Sequence, residues 1–156
     1  MITIRSSRLT LAGATAIAAA AGGWHTQSLA HHSFARYDQS EVRTFTGKLT
    51  RFIPGANHAQ LIFEVLDSNG QPVLDADGNP VMWGVETGPA ARIAREGVTP
   101  DNFPNGTILT VQLNPLRNGK TFGAMPNGTP IVNCALSMPS GGCTTETGRV
   151  YLGQND

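Results

Sequence analysis

Two adjacent histidines, His31 and His32, are the residues of this chain whose type and spacing best suit metal chemistry. They follow a long alanine-rich run, and cleavage after Ala30 would make His31 the first residue of the mature protein. An N-terminal histidine offers an imidazole together with an α-amine, which titrates at about pH 8 and so has an accessible lone pair at neutral pH. Nitrogen ligands in a tetragonal array suit Cu(II) best. The pair therefore predicts a copper site whose existence depends on the cleavage point.

Further ligands must come from elsewhere in the chain. His58 begins the second predicted strand and offers a third imidazole. Glu86 lies on the third predicted strand and is a candidate carboxylate ligand. The default expectation for Glu86 is an exposed position. The alternative is a solvated N-terminus that binds adventitious metal only weakly. The predicted metal ligands are His31, His32, His58 and Glu86, and copper is the only cofactor predicted.

The first thirty residues follow the three-part pattern of a secretory signal peptide. Arg5 and Arg8 precede an apolar run over residues 9–23, and Ser28 and Ala30 supply small residues at positions −3 and −1 of a cleavage site. A retained membrane anchor needs about 20 strongly apolar residues, which this alanine- and glycine-rich run does not provide. We expect residues 1–30 to be removed, leaving 31–156 as one periplasmic or secreted domain with no stable membrane span.

Charge and composition exclude several functions. Loss of Arg5 and Arg8 with the leader leaves nine lysines and arginines against eleven acidic residues, and only 6% of the chain is aromatic. A mildly acidic, aromatic-poor domain lacks the basic footprint of a nucleic-acid-binding protein. The sequence contains no nucleophile elbow, phosphate-binding loop or zinc-protease motif. We therefore predict a non-enzymatic binding module, with a copper-dependent redox enzyme as a less favoured alternative.

The two cysteines, Cys134 and Cys143, are both retained after cleavage. An even number of cysteines in an exported chain predicts one disulfide. The alternatives are two reduced thiols or a pair of metal ligands, neither of which suits an oxidising compartment or this spacing.

The order of predicted elements indicates a mainly β fold. Alternating apolar and polar residues predict strands over 42–53, 58–66, 81–87 and 107–113, a helix over 90–97, and further strands within 129–138 and 148–152. Three strands, one helix and then more strands is the order of the OB-fold, a small five-stranded barrel. A β-sandwich, which needs about seven short strands, is the alternative. We expect an OB-like five-stranded barrel with one short helix between strands 3 and 4, followed by a C-terminal hairpin.

Several short motifs occur together in a fixed order along residues 28–125. They are His31-His32-Ser33-Phe34, Tyr37-Asp38, Thr46-Gly47-x-Leu49, Trp83-x-x-Glu86-x-Gly88-Pro89, Ala94-Arg95-Glu96-Gly97-Val98-Thr99, Val111 and Asn114-Pro115-Leu116-Arg117-Asn118-Gly119. As an ordered set they resemble an uncharacterised family of small exported bacterial proteins. The resemblance implies an exported bacterial protein with a small β-barrel-like domain, and it supplies no activity.

One departure from that family concerns a candidate ligand. The family usually has Asn-Pro-His at the entry to the second strand, whereas this chain has Ala56-Asn57-His58. The histidine is kept and the rigid proline is missing. The tail from Pro126 onward, with both cysteines, is longer than the family norm. Besides the metal-binding module, a structural or protein-interaction module of the cell envelope, with no metal role, therefore remains as the second hypothesis.

The cleavage site can be tested by the intact mass of the protein recovered after export. We expect a mass that corresponds to residues 31–156, because Ala30 ends the small-residue cleavage pattern. A mature chain that begins at any residue other than His31 would contradict the proposed amine ligand.

Overall fold

The computed structural model describes residues 34–153. Its elements are the strands β1 (Arg43–Ile53), β2 (His58–Val65), β3 (Met82–Pro89), β4 (Ile108–Pro115), β5 (Phe122–Ala124), β6 (Pro130–Asn133) and β7 (Arg149–Leu152), and the helix α1 (Ala90–Arg95). A single 3-10 turn, Phe34–Arg36, precedes them. The predicted leader and the pair His31 and His32 lie outside the described residues.

The seven strands form one sheet in the order β1-β2-β3-β5-β4-β6-β7. An additional antiparallel pairing joins β1 to β4, so five of the strands close into a ring. The neighbours β3 and β5 are parallel, and the other paired strands are antiparallel. α1 lies between β3 and β4 in the chain, as predicted, and β6 and β7 form the predicted C-terminal antiparallel pair. The mainly β prediction is confirmed.

The alternation of β2 shows how the sequence sets the two faces of the sheet. Its inward residues are the buried Ala59, Leu61, Phe63 and Val65, and the residues between them are half-buried. Successive side chains of a strand point to opposite faces, so an apolar residue at every second position turns one face toward the core. His58 and Gln60 consequently share the outer face of β2.

The core lies inside the ring and is built from aliphatic and aromatic side chains. Trp83 of β3 belongs to it, with 8% of its surface exposed, and its ring centroid lies 4.6 Å from that of Phe45. On the solvent side, the guanidinium of Arg43 lies over the Trp83 ring, 5.5 Å from its centroid. Trp83 is therefore a core residue of β3.

Helix α1 is short and ends at Arg95, two residues before the predicted end at residue 97. Pro89 is its N-cap residue, and Gly97 follows the helix with φ of +91°, a left-handed conformation that glycine adopts without a Cβ penalty. Ile93 is the one residue of the helix that is buried, and it packs into the core. This short helix therefore packs against the core of the ring through one side chain.

Strand β5 was not among the predicted strands, because three residues are too few to show an alternating pattern. It is nevertheless needed for the ring, since it joins β3 to β4. The register places Phe122 beside Gly84, and a Cβ at Gly84 would lie 2.5 Å from Cδ2 of Phe122. Glycine at position 84 thus makes room for the Phe122 ring on the outer face of the sheet.

Cys134 and Cys143 form the predicted disulfide, with their Cα atoms 5.8 Å apart. Both are buried in a second, smaller apolar cluster with Leu66, Ile108 and Val132. The bond closes a loop within the connection between β6 and β7, and Thr110 of β4 donates a hydrogen bond of 2.7 Å to the Cys143 carbonyl. A structural disulfide fits a protein of an oxidising, non-cytoplasmic compartment. Within residues 34–153, no helix has the length and apolar character needed to cross a membrane.

The contact between Gly84 and Phe122 predicts the energetic coupling of two variants. Gly84→Ala should lower the free energy of unfolding by about 1–3 kcal/mol, because the added methyl group overpacks against the Phe122 ring. The loss should be smaller when Gly84→Ala is introduced into Phe122→Ala, which removes that ring. Urea unfolding of the four proteins of this double-mutant cycle measures the coupling, and strictly additive effects would contradict the placement of β5.

Candidate functional site

Two of the four predicted ligands lie within the described residues, and both are on the outer face of the β2–β3 pair. Gln60 is directly opposite Glu86, and His58, on the same face of β2, is paired with Pro89 after a register shift between the two positions. Residues directly opposite one another in an antiparallel pair have side chains on the same face. The structure therefore brings His58 and Glu86 to one face, at the end of the pair that leads into α1.

His58 is half-buried and held by one hydrogen bond. Its Nδ1 lies 3.0 Å from the backbone carbonyl oxygen of Thr87. A carbonyl oxygen can only accept, so Nδ1 carries the proton in this contact. Metal-binding histidines commonly donate their other ring nitrogen to a backbone carbonyl, which fixes the tautomer and the ring orientation. Nε2 is therefore the ring nitrogen of His58 that is the candidate metal ligand.

Glu86 is buried, with 8% of its surface exposed, so the default expectation of an exposed position is wrong. Its Oε2 accepts a hydrogen bond from the Tyr37 hydroxyl at 3.3 Å and lies 3.3 Å from a guanidinium nitrogen of Arg36. Burying a carboxylate is costly unless it is paired and hydrogen-bonded. The segment before β1 supplies both compensating groups.

Tyr37 is the centre of this cluster. It is 1% exposed, and its hydroxyl accepts a hydrogen bond of 2.7 Å from Arg36, whose guanidinium also lies 4.9 Å from the centroid of the Tyr37 ring. Burial raises the pKa of the Tyr37 phenol above the ordinary value of 10.0, and the charge of Glu86 acts in the same direction, while Arg36 opposes both. The neutral phenol is therefore the form that the fold stabilises.

Backbone contacts hold the same segment against the end of β4. The Asp38 amide donates to the Pro115 carbonyl at 2.8 Å, and the Arg117 amide donates to the Arg36 carbonyl at 3.0 Å. A β-bridge pairs Tyr37 with Leu116. β4 continues through Pro115, and the chain turns over residues 116–119, where Gly119 has φ of +76°. The turn after β4 therefore includes Asn118 and Gly119, whereas Asn114 and Pro115 belong to the strand.

Several motifs that are far apart in the sequence therefore meet at one place. Direct contacts join parts of three of these motifs. They are the Tyr37-Asp38 pair, Glu86 of the motif that begins at Trp83, and residues 115–117 of the motif that begins at Asn114. Arg36 and Tyr37 were not predicted as site residues. The signal that could have found them is the Tyr37-Asp38 motif of the family resemblance, since no pattern of alternation marks a buried tyrosine outside a strand.

The described residues alone do not form a metal site. Within 34–153 no group of three or more histidine, cysteine, aspartate or glutamate side chains is arranged to hold a metal ion. His58 and Glu86 are the only predicted ligands in this range, and a copper site would need nitrogen ligands from the residues before Phe34.

Comparison with known proteins identifies the family of this chain. The model of DUF6152, a family of unknown function, matches residues 18–125. This chain is a member of DUF6152. The predicted resemblance to an uncharacterised family is confirmed, and the match includes the Arg36, Tyr37 and Glu86 cluster. Neither a curated protein nor a solved structure matches the chain. The matched range ends before β6, so the C-terminal strand pair and the disulfide lie outside it.

The buried phenol predicts a late alkaline transition in this DUF6152 protein. Because the pKa of Tyr37 is raised, native Tyr37 keeps its proton at a pH where the unfolded chain loses it, so the free energy of unfolding should fall as pH rises from 10.0 through the folded pKa. Ultraviolet titration of tyrosinate should show a transition above pH 10.0 that is lost in Tyr37→Phe. Tyr151→Phe, which removes the other tyrosine, is the matched control and should retain it; loss of the late transition in the control instead would refute the assignment.

Proposed function

We propose that this protein is an exported bacterial binding module that holds one Cu(II) ion between its mature N-terminus and His58. The proposed ligands are the α-amine and imidazole of His31, the imidazole of His32 and Nε2 of His58. The observation that carries the proposal is the hydrogen bond of 3.0 Å from Nδ1 of His58 to the Thr87 carbonyl, the kind of contact that orients the ring of a metal-binding histidine.

The position of the anchored segment supports a shared site. Arg36 and Tyr37 are held against Glu86, on the outer face that also carries His58. His32 precedes Phe34 by two residues in the sequence, and each extended residue spans at most about 3.5 Å. A mature chain beginning at His31 therefore starts only a few residues from an anchor on this face, which lowers the entropic cost of bringing its nitrogens to His58.

The role that we propose for Glu86 differs from that of the three histidines. Its Oε2 is engaged by Arg36 and Tyr37, so Oε1 is the atom available to a metal, and the nearby guanidinium opposes a second cation there. We assign Glu86 chiefly to positioning, since its carboxylate fixes the segment from which the N-terminus extends. Direct ligation through Oε1 would complete a mixed nitrogen and oxygen site of the kind that Cu(II) accepts.

The proposal includes a fold type and a compartment. We infer that the ring β1-β2-β3-β5-β4 is an OB-like barrel, because its strand order, its closing β1–β4 pairing and the helix between β3 and β4 agree with that fold. We place the protein in the periplasm or outside the cell, on the signal pattern of residues 1–30 and the disulfide. In such an oxidising space copper is available as Cu(II).

Calorimetric titration of Cu(II) into the mature protein tests the proposal. We expect a Kd below about 1 μM. His58→Ala should raise it about 10-fold or more, because it removes a ligand that the fold has already oriented. One alanine added before His31 should have a similar effect, because it displaces the amine.

Gln60→Ala is the matched control, since Gln60 lies on the same face two residues from His58, and it should leave the Kd unchanged. A Kd weaker than about 1 μM, or a His58→Ala protein that binds as tightly as the wild type, would favour a structural or protein-interaction module of the envelope instead.

A further inference from the structure

A second candidate site lies in the part of the chain that the family match does not include. A cleft of about 500 Å³ separates the loop after α1 from the β6–β7 pair. Asp101, Asn102 and Pro104 line one side, and Asn133, Leu136 and Arg149 are among the residues that line the other. The first side falls within residues 18–125 and the second outside them. The cleft therefore depends on the C-terminal extension of this chain and is separate from the His58 face.

The cleft is lined by Tyr151, a buried tyrosine whose hydroxyl has no hydrogen-bond partner among the residues that the structure describes. Tyr151 is 5% exposed, its ring packs edge-on against Phe103 at 4.9 Å, and none of residues 34–153 forms a hydrogen bond with its hydroxyl. Buried tyrosine hydroxyls usually find a partner, so an unpaired one needs an explanation. A ligand in the cleft that accepts a hydrogen bond from Tyr151 would provide it.

Arg149 supplies a positive charge beside that phenol. Its guanidinium lies 4.9 Å from the centroid of the Tyr151 ring, and it makes no ion pair with the side chains of residues 34–153. Stacking on an aromatic ring orients the planar guanidinium and leaves its N–H groups available. A guanidinium held in this way matches the two oxygens of a carboxylate through parallel hydrogen bonds.

The walls of the cleft are held in place before any ligand binds. Asn133 donates from Nδ2 to the Asn102 carbonyl at 2.8 Å and accepts from the Ala135 amide at 2.8 Å, which joins the two sides. Ala135 has φ of 57°, a left-handed conformation that is uncommon for a residue with a Cβ and is often found at functional positions. The neighbouring Leu136 is 67% exposed at this cleft. The Cys134 disulfide fixes the same stretch of chain.

We infer that this cleft binds a small organic carboxylate that bears an apolar group. Arg149 receives the carboxylate through two hydrogen bonds, the Tyr151 hydroxyl donates a third, and the apolar group lies against Leu136 and Pro104. No covalent step is involved. The site needs neither copper nor the N-terminus, so a test of carboxylate binding is independent of a test of the proposed copper function.

The probe for this site is N-acetyl-L-leucine, which carries one carboxylate and one aliphatic side chain, and its matched control is N-acetyl-L-leucinamide, which has no charge. Titrated into the disulfide-bonded, ¹⁵N-labelled protein, the acid should shift the side-chain amide signals of Asn102 and Asn133 in a saturable way, with a Kd of about 1 mM or tighter. The amide should bind about 10-fold more weakly or not at all, since it lacks the charged partner of Arg149.

Two variants and a control complete the test. Arg149→Gln and Tyr151→Phe should each weaken binding of the acid, the first by about 10-fold or more. Arg51→Gln removes an exposed arginine of β1 outside the cleft and should change nothing. Spectra that otherwise match the wild type establish that each variant is folded. The absence of a saturable shift, equal binding of acid and amide, or an unaffected Arg149→Gln protein would each overturn the inference.

Discussion

The buried carboxylate of Glu86 is the group on which the arrangement of the candidate site depends. It lies on the outer face of β3, where a charge is tolerated only if other groups compensate for its loss of water. The compensating groups, the Tyr37 hydroxyl and the Arg36 guanidinium, come from the segment before the first strand. The need to satisfy one carboxylate thus brings the start of the described chain onto the face that carries His58.

This arrangement explains why motifs separated along the sequence belong together. The anchored segment is held from one side by Glu86 and from the other by the backbone at Pro115 and Arg117. The closed ring of five strands sets the distance between these two supports, since β3 and β4 are joined through β5. The fold therefore serves the site by keeping the ends of β3 and β4 at a fixed separation.

Much of the fold can be predicted from the sequence, because alternating apolar and polar residues indicate the strands and the residues at its two ends indicate the helix. β2 and α1 are clear examples, with buried residues at every second position and with Pro89 and Gly97 at the helix ends. β5 is the exception, since three residues carry no period and its place depends on the Gly84 and Phe122 contact.

The candidate site follows less directly, because the burial of Glu86 depends on Tyr37, 49 residues earlier in the chain. A local pattern does not encode such a partner. His58 could be chosen from its residue type and position, whereas its tautomer depends on the Thr87 carbonyl across the strand pair. The disulfide is predictable from compartment and cysteine count, but the cleft that its loop helps to shape is a property of the folded chain.

The most direct test of the central claim is a crystal structure of the mature protein, beginning at His31, with Cu(II) bound. We predict a single copper ion with Nε2 of His58 and the N-terminal amine both at about 2 Å, the usual length of a metal–nitrogen bond. A copper ion held by the first two residues alone, with Nε2 of His58 more than about 10 Å from the N-terminal amine, would contradict the account, because ligand bonds of about 2 Å cannot span that gap.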